Sequence, residues 1–299
     1  MPSIHKVKIY IKFYISFNEL NKKFYFLSQT NQNSKICNFS IFDIDEEKCF
    51  EKNLFLRIIS NLVGFSQINL NNSLYLCGSN NEESNEGSYL MKFDYNYSTP
   101  FILVNSIYSH FFPSLIGFKE NLVVVGGKEN VFCEIYYEKN SKWKEISKLP
   151  SDRFKCNLIS DEKNNFIYLF GGYTKISKKN CNNILRLNMN NFIWENILIK
   201  NNEFFLERNS SLLFNLYDNI FICGGFDNNN EKTEYIIQFN ITKRKVKKFY
   251  EKLKKNSAFD VTFNVDNFSV GIDNDGYIHT ISKNFRLKLI NFEENCIQI

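Results

Sequence analysis

Three times in this chain an uninterrupted apolar run ends in two adjacent glycines: LVVVGG at Gly127, IYLFGG at Gly172 and IFICGG at Gly225. Only 12 of the 299 residues are Gly, so half of them stand in these three pairs. Fainter copies are LYLCGS, with Gly78 before Ser79, and FSVGI, with Gly271. The steps from Gly78 to Gly127, Gly172 and Gly225 are 49, 45 and 53 residues. A period near 50 built from short apolar runs and turns is the mark of a repeat architecture.

Two further landmarks travel with the glycines. Before each pair comes an apolar strand, a polar hairpin and a second apolar strand, as in RFKCNLISDEKNNFIYLFGG from Arg153, RNSSLLFNLYDNIFICGG from Arg208 and HFFPSLIGFKENLVVVGG from His110. After it come bulky residues seven apart: Tyr136 and Trp143, Leu187 and Trp194, Phe239 and Val246, Phe42 and Cys49, with Phe93 and Phe101 one residue longer. Each repeat thus offers four short strands joined by turns. Composition agrees, with 31 Phe, 16 Tyr, 44 Asn and a single Ala, Ala258. Aromatics favour strands, Asn favours turns, and the best helix former is almost missing, although an A/T-rich genome would skew the codons the same way.

On these motifs the chain resembles the kelch-repeat family, in which a GG follows the second strand and a Tyr and a Trp stand six or seven residues apart in the third and fourth. The match is closest from Arg153 to Lys200, good from His110 and from Arg208, and weaker around Gly78, around FYFLSQ (Phe24 to Gln29) and after Asn256. The resemblance implies an all-β fold, a single six-bladed β-propeller over residues 1–299 with four-stranded antiparallel blades near 5–56, 57–107, 108–150, 151–203, 204–254 and 255–292. It implies a structural role for the glycine pairs, at a crowded strand exit, and for the Tyr and Trp, between blades. Strands near both ends, KVKIYIKF (6–13) and NCIQI (295–299), are candidates for closing the ring.

The sequence shows no residue pattern that points to catalysis. The three His (His5, His110, His279) fall in different repeats, so no metal site and no cofactor is expected, including the copper that the kelch-bearing galactose oxidase holds with His and Tyr. DNDGY (Asp273 to Tyr277) lacks the acidic ligands of a calcium loop and reads as a turn. Phosphate loops, dinucleotide fingerprints and nucleophile elbows are absent. Eight scattered Cys, with no C-x-x-C, read as reduced thiols of a cytoplasmic protein. A net charge of +5 asks for no nucleic-acid partner, and no run of about 18 uncharged apolar residues suggests a membrane span.

The loops remain. Those entering the first strand of each blade place Arg57, His110, Arg153, Arg208 and Asn256 at one end of the ring, near the channel mouth. Three of the six Arg in the chain stand at equivalent positions there. Because Arg presents a planar fork to carboxylates, Arg57, His110, Arg153 and Arg208 are the candidate partner-binding residues, for an acidic protein. The competing reading is that Arg at this position ties adjacent blades together. The loops between second and third strands differ in sign: SNNEESNEG (79–87) is acidic, YTKISKKNCNN (173–183) basic and FDNNNEKTE (226–234) mixed. The basic run KRKVKKFYEKLKK (243–255) reads as an outer strand whose Lys residues guard an exposed edge.

The expected function is therefore a non-catalytic protein-interaction scaffold, monomeric, with a partner of the cytoskeletal or ubiquitin-ligase kind that the kelch resemblance implies. The alternative is a small-molecule enzyme, similar to kelch-type sugar epimerases, working in the channel.

Overall fold

The computed structural model describes residues 12–18, 23–29, 35–43, 48–56, 62, 64–71, 73–79, 87–94, 99–200, 207–209, 211–216, 218–223, 226–231, 236–248, 269–272, 277–281 and 287–291. Among them the fold is all-β, with one 3-10 turn (Glu138–Asn140) and no α-helix. The strands form successive antiparallel sheets in chain order. The first holds β1 (Lys12–Asn18), β2 (Lys23–Gln29), β3 (Ile36–Asp43) and β4 (Lys48–Phe55). The second holds β5 (Phe65–Leu70), β6 (Ser73–Gly78), β7 (Tyr89–Phe93) and β8 (Phe101–Ile102). The third holds β9 (Ser114–Phe118), β10 (Asn121–Gly127), β11 (Asn130–Tyr137) and β12 (Lys142–Ile146).

In the fourth, β13 (Asn157–Asp161) and β14 (Phe166–Phe170) are followed by a separate hairpin, β15 (Tyr173–Thr174) and β16 (Lys179–Asn180), before β17 (Ile184–Asn188) and β18 (Ile193–Ile197) complete the sheet. The fifth is β19 (Leu212–Leu216), β20 (Asn219–Cys223), β21 (Ile236–Asn240) and β22 (Lys245–Lys248). The sixth shows three strands among the described residues, β23 (Ser269–Ile272), β24 (Tyr277–Ile281) and β25 (Leu287–Asn291). The four-strand expectation is thus met in five sheets. The two candidate closing segments lie outside the described residues, apart from the first two residues of β1.

The spacing of seven has a simple origin. Tyr136 pairs with Trp143, Leu187 with Trp194, Phe239 with Val246 and Phe42 with Cys49, each across the hairpin from third to fourth strand. Where the spacing is eight the partner changes, and Phe101 faces Lys92 instead of Phe93.

The uninterrupted apolar runs follow from burial on both faces. Side chains alternate across a strand, and in β10 Leu122 and Val124 pack with Tyr75, Cys77 and Leu90 of the second sheet. Val123 and Val125, on the opposite face, pack with Ile167, Leu169 and Leu185 of the fourth. β14 repeats the arrangement one sheet on, with Ile167 and Leu169 toward the third sheet and Tyr168 and Phe170 toward Ile220, Ile222 and Phe239 of the fifth. A middle strand sandwiched this way has no room for the polar half of an alternating pattern. The core is therefore a series of layers between consecutive sheets. First strands also adjoin one another in sequence: β1 with β5, β5 with β9, β9 with β13, β13 with β19, β19 with β23, and β23 with β1.

The outer strand β22 keeps the alternation. In β22, Val246 is fully buried while Lys245 and Lys247 are exposed, as an edge guarded by Lys should be.

Candidate functional site

The two described double glycines, Gly126–Gly127 and Gly171–Gly172, stand where the third sheet meets the fourth and where the fourth meets the fifth. Gly126 and Gly171 have φ of +61° and +58°, and Gly127 and Gly172 have +138° and +90°, a region in which any other residue is strained. Space is as restrictive as conformation. A Cβ on Gly126 would lie 2.5 Å from the carbonyl oxygen of Arg153 in the following sheet, and one on Gly171 would collide with the carbonyl of Arg208. That proximity makes a hydrogen bond. Gly127 N–H donates to Arg153 O at 3.0 Å, Gly172 N–H to Arg208 O at 2.9 Å, and Ser79 N–H to His110 O at 2.9 Å.

The next residue completes the join. Phe111 O accepts from Lys128 N–H at 2.7 Å, Phe154 O from Tyr173 N–H at 2.9 Å, and Asn209 O from Phe226 N–H at 3.0 Å. In three consecutive seams, then, one carbonyl grips the preceding sheet and the next grips its own. We refer to this pair of bonds as the clasp. Trp adds a second fastening on the outside: Trp143 Nε1–H donates to Val104 O at 2.8 Å and Trp194 Nε1–H to Ser147 O at 3.0 Å, each reaching back to the preceding sheet.

Three of the four candidate partner-binding residues are therefore clasp residues. His110, Arg153 and Arg208 are 0%, 2% and 1% exposed, so their side chains fill seams and do not line an accessible rim. Arg57 and Asn256 lie outside the described residues. The physical reason is local: a carbonyl that must reach the preceding sheet draws its residue into the seam, and the side chain follows. A role in tying adjacent sheets together accounts for the burial.

The buried side chains are held differently. His110 Nδ1 lies 2.6 Å from Gly126 O and Nε2 2.8 Å from Glu134 Oε2, and Glu134 is itself fully buried. A carbonyl can only accept, so Nδ1 carries a proton, and the second contact needs another on either His110 or Glu134. Imidazole and carboxyl together are then neutral as a pair. Glu134 also accepts from Ile107 N–H at 2.8 Å and Tyr108 N–H at 3.2 Å, so both of its oxygens are engaged. The nearby Cys77 thiol is pushed up, chiefly by burial.

Arg153 makes one side-chain bond, Nη2–H to Asn183 Oδ1 at 2.7 Å, while Nε and Nη1 have no hydrogen-bond partner among the described residues. Burial raises the Cys156 thiol above its ordinary value, and a bond from Ser114 and the Arg153 charge pull it back in part. Burial likewise raises Cys181, with Arg153 opposing. Thiols in that state are poor nucleophiles. Cys37, Cys77, Cys133, Cys156 and Cys181 are all free.

Two features escaped sequence reasoning. Glu134 sits in VFCEIYY and looks like the exposed member of an alternating strand, yet it is among the most buried residues described. Its signal would have been the His at the Arg position, two strands earlier at the entry to β9. The second is the β15–β16 hairpin, which the basic loop 173–183 gave no reason to expect as an ordered projection.

His110 lies in the seam between second and third sheets, His279 lies on β24, and His5 and Asp273 to Asp275 are outside the described residues. Among the described residues no group of three or more His, Cys, Asp or Glu is placed to hold a metal ion, and no helix is long and apolar enough to cross a membrane. No known family model matches the chain, and no curated protein matches it in sequence.

Proposed function

We propose that the chain is a kelch-like, closed six-bladed β-propeller that serves as a non-catalytic protein-interaction scaffold. The observation that carries this reading is the clasp. It recurs in three consecutive seams at the same end of the sheets, from Ser79 to His110, Gly127 to Arg153 and Gly172 to Arg208. The adjacency of first strands, returning from β23 to β1, supports ring closure. A frame fixed in this way holds the loops that leave it at defined positions, and loops on a rigid scaffold are where binding residues concentrate.

Those loops differ in chemistry from sheet to sheet. The third sheet has the short Lys128–Glu129 turn, the fourth an exposed basic hairpin over 175–179, and the fifth a loop carrying Asp227 and Glu231. Juxtaposed patches of opposite sign suit a selective protein surface better than a uniform polyanion. The partner is therefore met by the loop end, not by the buried His110, Arg153 and Arg208, and a cytoplasmic adaptor role fits best.

The test is affinity capture with the intact chain as bait in its own cells, washed at rising salt. A protein that stays bound at a few hundred millimolar salt is expected. If a folded bait retains no protein but binds a sugar or a polyanion, the scaffold reading is wrong.

A further inference from the structure

The β15–β16 hairpin is a rooted projection. Its base is tied from several sides: Asp152 Oδ2 accepts from Lys175 N–H at 2.9 Å, and Asn180 N–H donates to Asn228 Oδ1 at 2.7 Å. The Asn180 side chain, 6% exposed, donates to Phe226 O at 3.0 Å and accepts from Asn209 Nδ2 at 2.9 Å. At the turn, the Thr174 and Ser177 hydroxyls bond each other, and Ser177 N–H donates to Thr174 Oγ1 at 3.1 Å.

Above this base every residue from 175 to 179 is exposed, reading Lys, Ile, Ser, Lys, Lys. Ile176 is 84% exposed, more than any other large apolar side chain among the described residues. A single exposed Ile is ordinary. One at the apex of a pre-ordered hairpin, with lysines on both sides, is an anchor whose ordering cost has been met in advance.

We propose that this tip is the contact point of the scaffold, and that it enters an apolar socket rimmed by carboxylates on a partner protein. The inference rests on the interaction reading above. Ile176 fills the socket, and Lys178 and Lys179, which form no ion pair among the described residues, meet its rim. Lys175 is paired with the exposed Glu129.

Charge and shape decide against other partners. Two lysines and one Ile hold an anionic bilayer only at about millimolar strength. Glu129, paired with Lys175, and Glu207, bonded to Asn228 at the hairpin base, stand beside the hairpin, and a flat anionic surface would be pressed against them. A concave protein surface would not. RNA is disfavoured because the tip offers no aromatic ring and no guanidinium for bases to stack on.

The experiment places a photo-crosslinking phenylalanine analogue at position 176, with a control at the exposed Ile193 of β18, and compares wild type with Ile176→Asp and with Lys178→Glu/Lys179→Glu. All these sites are exposed, and unchanged melting checks folding. The expected result is a crosslink from 176 into an apolar partner segment flanked by Asp or Glu. Capture should fall roughly tenfold or more in both variants and persist in Lys178→Arg/Lys179→Arg. If wild type and variants capture the same salt-stable partner equally, the tip assignment fails while the scaffold reading stands. If wild type captures no protein, both fail. Binding to phosphatidylserine vesicles or to RNA that the tip variants lose would overturn the proposed partner chemistry.

Discussion

The seam between the second and third sheets and the seam between the third and fourth share a backbone and differ in side chains. In both, an N–H at the end of the second strand donates to a carbonyl in the next sheet, from Ser79 to His110 and from Gly127 to Arg153. In the first, the buried side chain belongs to a neutral His–Glu pair with every polar atom of the carboxylate used. In the second it is a guanidinium with one neutral partner, Asn183. The lesson is that the main-chain bond defines the repeat. The side chain above it is replaceable so long as it fills the seam.

The largest expected effect comes from removing that filling. Arg153→Ala with Arg208→Ala should destabilise by about 2–4 kcal/mol per site, through cavity and lost hydrogen bonding, and should lower the thermal melt steeply. Arg153→Met, which keeps the volume and discards a charge with a single hydrogen bond, should recover most of the loss at its site. An unchanged melt combined with lost partner capture would return these side chains to the binding surface.

A smaller effect should separate the backbone of the two seams. Gly126→Ala meets both a positive φ and the Arg153 carbonyl, and should cost about 2–3 kcal/mol in denaturant melts. Ser79→Gly asks nothing new of the clasp, and its change should stay within about 1 kcal/mol. Equal effects would contradict the view that glycine geometry, and not glycine identity, is what the seam needs.

The smallest effect lies elsewhere in the seam between the second and third sheets. Glu138, in the 3-10 turn of the third sheet, reaches across to Lys92 at 2.6 Å and to the Tyr75 hydroxyl. Burial works to raise its carboxyl, but bonds from Lys92 and Tyr75 outweigh this and hold it below its ordinary value of 4.5. A lowered folded value means that the contribution is present above about pH 4.5 and is lost as pH falls through it. Because the pair is a quarter exposed, Glu138→Gln should cost only about 1 kcal/mol at neutral pH. Stability of wild type and variant should converge in acid; a constant gap across the titration would assign the contact to packing alone.

Much of this fold could be read before any coordinates. The spacing of Tyr136 from Trp143 and of Leu187 from Trp194 located third and fourth strands, and the structure makes each a cross-strand pair because a hairpin converts sequence spacing directly into register. The glycine pairs marked seams because φ and crowding leave no other residue. The clasp was not legible, since a main-chain bond between Ser79 and His110 is independent of side-chain type and joins residues far apart in the chain. For the same reason the arginines were expected on a rim: their equivalence between repeats was visible, but burial depends on a carbonyl partner that no side chain reports. The β15–β16 hairpin depended on Asn180, Asn209 and Asn228 meeting across two sheets, which 44 Asn in the sequence cannot single out.

The outer fastening by Trp gives the molecule its own optical gauges. The chain holds only 2 Trp, and each indole N–H is bound to the carbonyl of a different neighbouring sheet, Val104 for Trp143 and Ser147 for Trp194. In single-Trp variants, emission wavelength would thus record the wetting of one seam at a time, so that the opening of a single seam could be distinguished from cooperative loss of the fold without any attached label.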